Sequence, residues 1–494
     1  MTYDVAIIGA GVVGSALFYE LGKYNLKTAL IEKENDVALG SSRANSAIVH
    51  AGYDPPNGTM LARFNVEGNR LYPKLCEELS VPYRQNGSLI VALCEEDLSQ
   101  LRFLYENGVK NGVEGLEIID SAAVRQLEPN LQPSICGALL APTGGIVGSY
   151  EFTTALAESG VINGGEVFLN SEVIKIEKIA EDGSPLQDSK REGFFRLFFS
   201  NGSSLTSRFI VNAAGIYSDS VQRLIGKERF SVTPRKGEYY ILDKRQGNLV
   251  DRTIFMCPSK LGKGVLISPT VHGNLLVGPD AQDGDDKEDF STSRKGLDFV
   301  RKTSTLLSDK VDFRDSIRNF AGLRALPSGK DFIIELDPDV SGMVNLAGIK
   351  SPGLTSSPAI AKYAVELLAN AGLELKENSN FNPYRKQIRF AELSAEEKAA
   401  LVAQDPRFGR VICRCEQVTE GEIVESIRRP LGATTLDGVK RRCRPGSGRC
   451  QGGFCGPRVL EILSRELGVE RESIAKDKSG SRVLFGKTKE PSDR

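Results

Sequence analysis

The sequence has almost no net charge: 63 lysines and arginines stand against 64 aspartates and glutamates, a formal −1 at neutral pH. No long-range field is therefore available to draw in nucleic acid or an anionic membrane. The charges are mixed along the chain rather than gathered in blocks. No apolar run is long enough to span a bilayer, and no short-period repeat is visible. The run Val5 to Phe18 has no Lys or Arg ahead of it and contains three glycines, so it does not read as a signal-peptide core. Histidine is scarce, with only His50 and His272, which leaves few candidates for a proton acceptor at neutral pH. These absences leave a globular enzyme, expected in the cytoplasm. At 494 residues it needs two or three domains.

Cysteine is unevenly spread. Cys76, Cys94, Cys136 and Cys257 are isolated, whereas Cys413, Cys415, Cys443, Cys450 and Cys455 crowd into the last fifth of the chain. Isolated cysteines are expected as small buried hydrophobes. The crowded ones suggest a metal site rather than a secreted disulfide framework.

The strongest local pattern lies at the start. Val5 to Ile8 is a β-branched apolar run that reads as a buried parallel strand, Gly9, Gly11 and Gly14 form G-x-G-x-x-G, and an apolar helix pattern follows from Ala16 to Leu26. Gly9 allows the tight turn, Gly11 a close backbone approach to a pyrophosphate, and Gly14 close packing of helix on strand. Glu32 ends a second strand from Lys27, placed to accept hydrogen bonds from an adenosine ribose. A glycine-rich turn without ligand is the plain alternative.

Further on, helices are expected over Met60 to Leu79 and over Glu95 to Asn111, the latter with Leu98, Leu101, Leu104 and Val109 inward. Ser88 to Ala92 and Gly137 to Gly148 carry strand signals. Tyr150 to Glu158 reads as a helix and Val167 to Ile176 as one or two strands. Phe194 to Asn212 reads as two strands around the hairpin signal Asn201-Gly202, leading into Ala213-Ala-Gly215 and a helix. Pro234 to Leu242, Thr253 to Ser268 and Leu275 to Val277 alternate like antiparallel strands, and Phe290 to Leu307 resembles a long helix. Val344 to Ala359 reads as strand, glycine loop and helix start, a second helix N-terminus for a polar ligand edge. Asn378 to Pro406 reads as a linker with a short helical signal, and Asp477 to Arg494 as a polar, partly disordered tail.

Taken together, the N-terminal motif with Glu32, the Asn45-Ser46 to His50-Ala-Gly52 segment, Asn212-Ala-Ala-Gly215, Gly322-Leu-Arg324 and Gly348 to Thr355 resemble the FAD-dependent D-amino-acid oxidase and glycerol-3-phosphate dehydrogenase superfamily. The resemblance covers roughly residues 1 to 375. Ser46 to Gly52, Pro234 to Tyr240 and Ser351 to Thr355 most resemble the soluble glycerol-3-phosphate dehydrogenase and oxidase branch. L-2-hydroxyglutarate dehydrogenases have a similar histidine segment. The region from Cys413 resembles a bacterioferritin-associated-ferredoxin-like [2Fe-2S] module, with Cys413-Arg-Cys415 and Cys450 to Cys455 matching its two halves and Cys443 outside the pattern.

The resemblance implies an α/β fold. A Rossmann-like FAD-binding domain (1–80, 149–226 and 318–376) carries an inserted antiparallel-sheet substrate domain (81–148 and 227–317). A linker (377–409), a small, mainly helical [2Fe-2S] domain (410–470) and a tail (471–494) follow. Noncovalent FAD is expected on Gly9, Gly11, Gly14, Glu32, Ser41, Ser42, Asn45, Ser46, Val173, Gly215, Gly348, Gly353, Leu354 and Thr355. His50 is expected as general base and Arg324 as the cation for a phosphate, with Ser46, Lys260, Lys263 and Ser351 also at the substrate. His272, before Gly273-Asn274, is expected in a turn. Cys413, Cys415, Cys450 and Cys455 would hold the cluster, four thiolates as C-x-C and C-x₄-C with 34 residues between. Zinc is the rival, although structural zinc modules favour C-x₂₋₄-C pairs.

Three functions follow. The first is FAD-dependent oxidation of glycerol 3-phosphate, with electrons leaving through the cluster to a second flavoprotein or other redox subunit. The second is the same machinery acting on an amino or 2-hydroxy acid, because arginine binds carboxylate and phosphate alike. The third is a non-catalytic subunit that only relays electrons.

Overall fold

The computed structural model describes residues 2–226, 228–258 and 264–486. The chain forms two compact units. One joins the stretch up to Lys33 with Val37–Arg385, and the other joins Glu34–Asp36 with the stretch from Lys386 onward.

Two sheets organise the first unit. In the eight-stranded sheet, Thr2–Ile8 lies between Thr28–Ile31 and Ser204–Asn212, parallel to both. Glu166–Phe168 and Met343–Ala347 extend the parallel set on either side. Ile8 pairs with Ile31 and Asn212, and Asn212 pairs with Asn345, so the strands end in line. Ligands of open α/β sheets bind beyond such carboxyl ends. The first helix, Val12–Leu21, is buried at every position and is accordingly apolar nearly all round. It starts directly after Gly11 and stops at Gly22, earlier at both ends than the Ala16 to Leu26 pattern suggested, because the glycine turn frees the backbone to enter the helix at Val12. The Asn201-Gly202 hairpin forms as expected between Phe194–Phe199 and Ser204–Asn212, with Gly202 at φ +84°.

The nine-stranded sheet is antiparallel apart from Thr253–Met256, which runs parallel to Ser88–Ala92. Leu89 and Val91 enter one buried cluster, Ile90 and Ala92 another on the opposite face, which is why that strand is an unbroken apolar run. Its longest pairing joins Val232–Leu242 to Ser316–Pro327, with Arg235 opposite Arg324, Gly237 opposite Gly322 and Tyr239 opposite Phe320. A small sheet of Ile48–Val49, Gly145–Val147 and Tyr83–Arg84 completes the unit.

Several details differ from expectation. Val109 is exposed, and Gly108 takes the inward position. Cys94 is exposed, while Cys136 and Cys257 are only partly buried. The helix expected over Phe290 to Leu307 is confined to Arg294–Ser304, because Ser293 caps it and is itself held by the Glu238 carboxylate. The stretch expected as a linker is anchored as far as Arg385, which is buried in an ion pair with Glu158.

In the second unit, Glu420–Arg428, Leu436–Cys443 and Gly456–Leu467 pack around Val418, Ile423, Val439, Leu463 and Ile474. A capping box between Thr419 and Glu422 starts the first of these helices. Asp36 lies in a buried ion cluster with Arg441 and Arg442. The supposed tail is ordered at its start: Asp477 pairs with Arg441, and Ala475 bridges Arg482. Among the described residues, no helix is long and apolar enough to cross a membrane.

Candidate functional site

The glycine turn meets its backbone requirements. Gly9 has φ +107°, and a Cβ there would stand 2.5 Å from the Ala213 carbonyl oxygen. A Cβ on Gly14 would stand 2.0 Å from the Gly9 carbonyl oxygen. Only glycine permits these approaches. Gly11 is less constrained: a Cβ there would stand 3.3 Å from Ser42 Oγ. Ser42 Oγ accepts the Val12 N–H at 2.9 Å, occupying one of the free donors of the helix start. Glu32 Oε2 accepts the Ala10 N–H at 2.9 Å, so the acidic residue also braces the turn. Val173 opens Val173–Ile179, two residues after Ser171, whose N–H donates to the Glu32 carbonyl. Gly215 follows Ser204–Asn212 with φ +57°, and nothing lies within 4 Å of where its Cβ would be. Aligned strand ends, a helix N-terminus and this open glycine suit an extended dinucleotide.

The third segment crosses from the other side. Gly348 has φ +62°, and Gly353 begins Gly353–Asn370. The Leu354 carbonyl accepts the Tyr72 hydroxyl at 2.5 Å. Thr355 Oγ1 accepts the His50 N–H at 2.9 Å. The His50 carbonyl accepts side-chain amides from Asn65 at 2.7 Å and Asn69 at 3.2 Å. His50 is thus held on both backbone sides, while its Nε2 stands 3.4 Å from Ser351 Oγ and its ring 5.8 Å from Phe255. Asn65 and Asn69 were missed from the sequence. Two buried asparagines one turn apart on Met60–Glu78 were the available signal, since buried amides need partners.

Asn45 ties its own loop, donating to the Ser41 and Ser42 carbonyls and accepting from the Ala47 N–H. Ser41 Oγ donates to the Leu323 carbonyl at 2.5 Å, which carries the loop onto the Arg324 strand. Ser46 Oγ and the Tyr239 hydroxyl share a hydrogen bond of 3.2 Å, and Tyr239 stacks on Phe320 at 4.7 Å. Phe320, Gly322 and Arg324 alternate on one face with their partners Tyr239 and Gly237. A Cβ on Gly237 would meet Arg324 Nη2 at 2.5 Å, so this glycine makes room for the guanidinium. Arg324 is half-buried, and among the described residues its guanidinium has no hydrogen-bond or ion-pair partner. Lys260 and Lys263 lie outside the described residues. His272 sits in the turn closed by the Gly273 N–H on the Thr270 carbonyl, and its Nε2 lies 2.7 Å from Glu151 Oε2.

Cys413, Cys415, Cys450 and Cys455 lie on two loops of the second unit that close on each other. A Cβ on Gly448 would stand 2.3 Å from Cys415 Cβ. The Cys415 and Cys450 sulfurs are 4.0 Å apart. The neighbouring Cys455 thiol holds the Cys413 pKa down to about 6, while that of Cys455 is pushed up. The four thiols are of the kind a two-iron cluster takes, although among the described residues no three His, Cys, Asp or Glu side chains are gathered closely enough to hold a metal ion as they stand. Cys443 is instead buried on Leu436–Cys443, its thiol donating to the Val439 carbonyl and burial raising its pKa.

Comparison with known proteins bears on both units. Residues 4–367 match the family model "FAD dependent oxidoreductase", and residues 411–465 match "BFD-like [2Fe-2S] binding domain". The glycerol 3-phosphate dehydrogenase of Caloramator mitchellensis is 50% identical over 488 residues, 99% of either chain. The glycerol 3-phosphate oxidase of Mycoplasma genitalium is 35% identical over 77% of this chain and 98% of its own. The solved L-alpha-glycerophosphate oxidase from Mycoplasma pneumoniae, reduced by dithionite and with FAD bound, superposes with a TM-score of 0.73 at 32% identity, over 79% of this chain and all of that one. The chain belongs to the FAD dependent oxidoreductase family and continues into a BFD-like [2Fe-2S] domain.

Proposed function

We propose that this protein oxidises the secondary alcohol of sn-glycerol 3-phosphate to dihydroxyacetone phosphate and delivers the electrons one at a time to a protein partner. The observation that carries the phosphate reading is Arg324: a half-buried guanidinium with no carboxylate beside it is costly to keep, and an anionic substrate offsets that cost. The similar glycerol 3-phosphate enzymes favour phosphate over carboxylate as that anion.

His50 takes the hydroxyl proton at Nε2, with Ser351 Oγ positioned to orient either the ring or the substrate hydroxyl. The two asparagines and Thr355 fix its backbone, so the imidazole can turn only about its own side-chain bonds. Ser46 and Tyr239 border the substrate, and Lys260 and Lys263 assist Arg324. The glycine turn, Glu32, Ser41, Ser42, Asn45, Val173, Gly215, Gly348, Gly353 and Leu354 would hold FAD, which would supply the hydride acceptor for the carbon bearing that hydroxyl. The [2Fe-2S] cluster held by Cys413, Cys415, Cys450 and Cys455 supplies a one-electron exit.

A dehydrogenase fits better than an oxidase. The dehydrogenase relative matches the chain from end to end, whereas the oxidase relative matches 77% of it. The partner on this reading is a second flavoprotein or another redox subunit, and the setting is the cytoplasm. On this reading the eight-stranded sheet serves FAD and the nine-stranded sheet, which includes Ser316–Pro327, serves the substrate. An anaerobic titration of the holoenzyme with glycerol 3-phosphate, glycerol and L-2-hydroxyglutarate tests the assignment. Flavin bleaching by glycerol 3-phosphate alone is expected, and bleaching by the hydroxy acid alone would contradict it.

A further inference from the structure

The rim of the cysteine loops carries a feature that neither fold nor ligand chemistry requires. Phe454, between Cys450 and Cys455, is 86% exposed. Covering that phenyl ring with a partner would remove apolar area from water, which is favourable. Across the two cysteine segments, residues 411–419 and 444–458, the exposed charged side chains are all arginines: Arg414, Arg449 and, on the first turn of Gly456–Leu467, Arg458. The single acid in these loops, Glu416, has a nearly buried side chain paired with Arg444. Arg414 and Arg458 have no ion-pair partner among the described residues. Elsewhere on the same unit several arginines are paired with acids. Arg407 is paired with Asp405, Arg410 and Arg465 with Glu420, and Arg428 with Glu466. Cys415, a cluster ligand on the reading above, is itself exposed beside this rim.

We propose that Phe454, with the exposed Arg414, Arg449 and Arg458 of the cysteine segments, is the docking surface for an acidic one-electron carrier protein that collects the electrons at the cysteines. This rests on the [2Fe-2S] reading of the four cysteines. The arginines steer an acidic partner and set its approach, while Phe454 supplies the apolar anchor. A small, charge-steered contact of this kind releases its partner quickly. That matters because each substrate gives up two electrons: two carrier molecules are each reduced by one electron, and the alcohol's two protons pass to solvent.

The test uses the full-length, FAD- and cluster-loaded protein, with plant-type ferredoxin as acidic probe and cytochrome c as basic control. Phe454→Ser, Arg458→Glu and the double variant are compared with wild type. Two quantities are read: binding of oxidised ferredoxin by titration calorimetry, and the rate of ferredoxin reduction in stopped flow. The expected result is wild-type binding that weakens steeply between low salt and about 0.3 M, and a loss of about tenfold or more in both quantities in each variant. Arg458→Glu should favour cytochrome c over ferredoxin. Substrate bleaching of the flavin and the EPR signal of the reduced cluster should stay at wild-type levels. Unchanged ferredoxin binding and reduction in the variants would overturn the docking surface alone. Slower internal reduction of the cluster by substrate, with ferredoxin binding intact, would also overturn it, assigning the face to the chain's own flavin unit. Absence of any cluster EPR signal in wild type would overturn the [2Fe-2S] reading, and the docking surface with it.

Discussion

The backbone N–H of His50 donates to the Thr355 hydroxyl at 2.9 Å, joining the proposed base to the first turn of the helix Gly353–Asn370. Replacing Thr355 by valine keeps the shape and removes the acceptor, leaving a partly buried N–H unpaired at a cost of about 1–3 kcal/mol. Thr355→Val should therefore lower thermal stability and slow flavin reduction by glycerol 3-phosphate together. Stopped-flow reduction and a melting curve check this, and a wild-type reduction rate would contradict the link.

If His50 is the general base, His50→Asn should slow flavin reduction by roughly 10² to 10⁴ with FAD retained. Single-turnover kinetics with the flavin spectrum recorded before mixing separate lost chemistry from lost cofactor. Asn69→Ala, which removes one of the two amide donors to the His50 carbonyl together with a bond to the Thr143 carbonyl, should give a smaller slowing.

Arg324 can be tested without removing its charge. Gly237→Ala places a methyl group 2.5 Å from Nη2 and must push the guanidinium aside. Both Gly237→Ala and Arg324→Ala should raise KM for glycerol 3-phosphate, the latter roughly 10- to 100-fold, as loss of a charged hydrogen bond of about 1.5–3 kcal/mol would do. KM for glycerol should change little. Equal effects on both substrates would count against phosphate recognition.

What the sequence made legible was local. The glycine turn, Glu32 and the Asn201-Gly202 hairpin are short-range patterns whose backbone demands appear directly in residue type. The partners of His50 were not legible, since Asn65, Asn69 and Thr355 lie 15, 19 and 305 residues away. The same holds for Ser46 with Tyr239, 193 residues apart. The helix expected over Phe290 to Leu307 was overextended because nothing local says that Ser293 is held by Glu238, 55 residues away. Val109 fitted a helical apolar stripe, yet it faces water because Gly108 is the residue that approaches Tyr53.

The ion cluster of the second unit gives a pH dependence. Burial alone would raise the Asp36 carboxyl, but Arg442 and Arg441 outweigh it and hold the pKa at about 2, below its ordinary 3.8. A depressed carboxylate contributes stability that is present above about pH 4 and is lost as pH falls towards 2, here on the order of 2 kcal/mol. Asp36→Asn should flatten that acid dependence and, by removing the buried carboxylate that Arg441 and Arg442 share, destabilise the unit by about 3 kcal/mol at neutral pH. Hydrogen exchange of the Leu436–Cys443 amides in the full chain, measured from pH 7 downward, reads both effects.

The central claim is that one chain oxidises glycerol 3-phosphate at FAD and passes the electrons through a cysteine-held [2Fe-2S] cluster. The most direct measurement adds glycerol 3-phosphate anaerobically to the holoenzyme and records flavin absorbance and low-temperature EPR on the same sample. The account predicts that the flavin bleaches and a reduced [2Fe-2S] signal appears. The signal should be lost in Cys413→Ser and Cys450→Ser and kept in Cys443→Ser, whose thiol is buried and donates to the Val439 carbonyl. A flavin that bleaches while no iron signal appears, in a protein holding zinc and no labile sulfide, would contradict it.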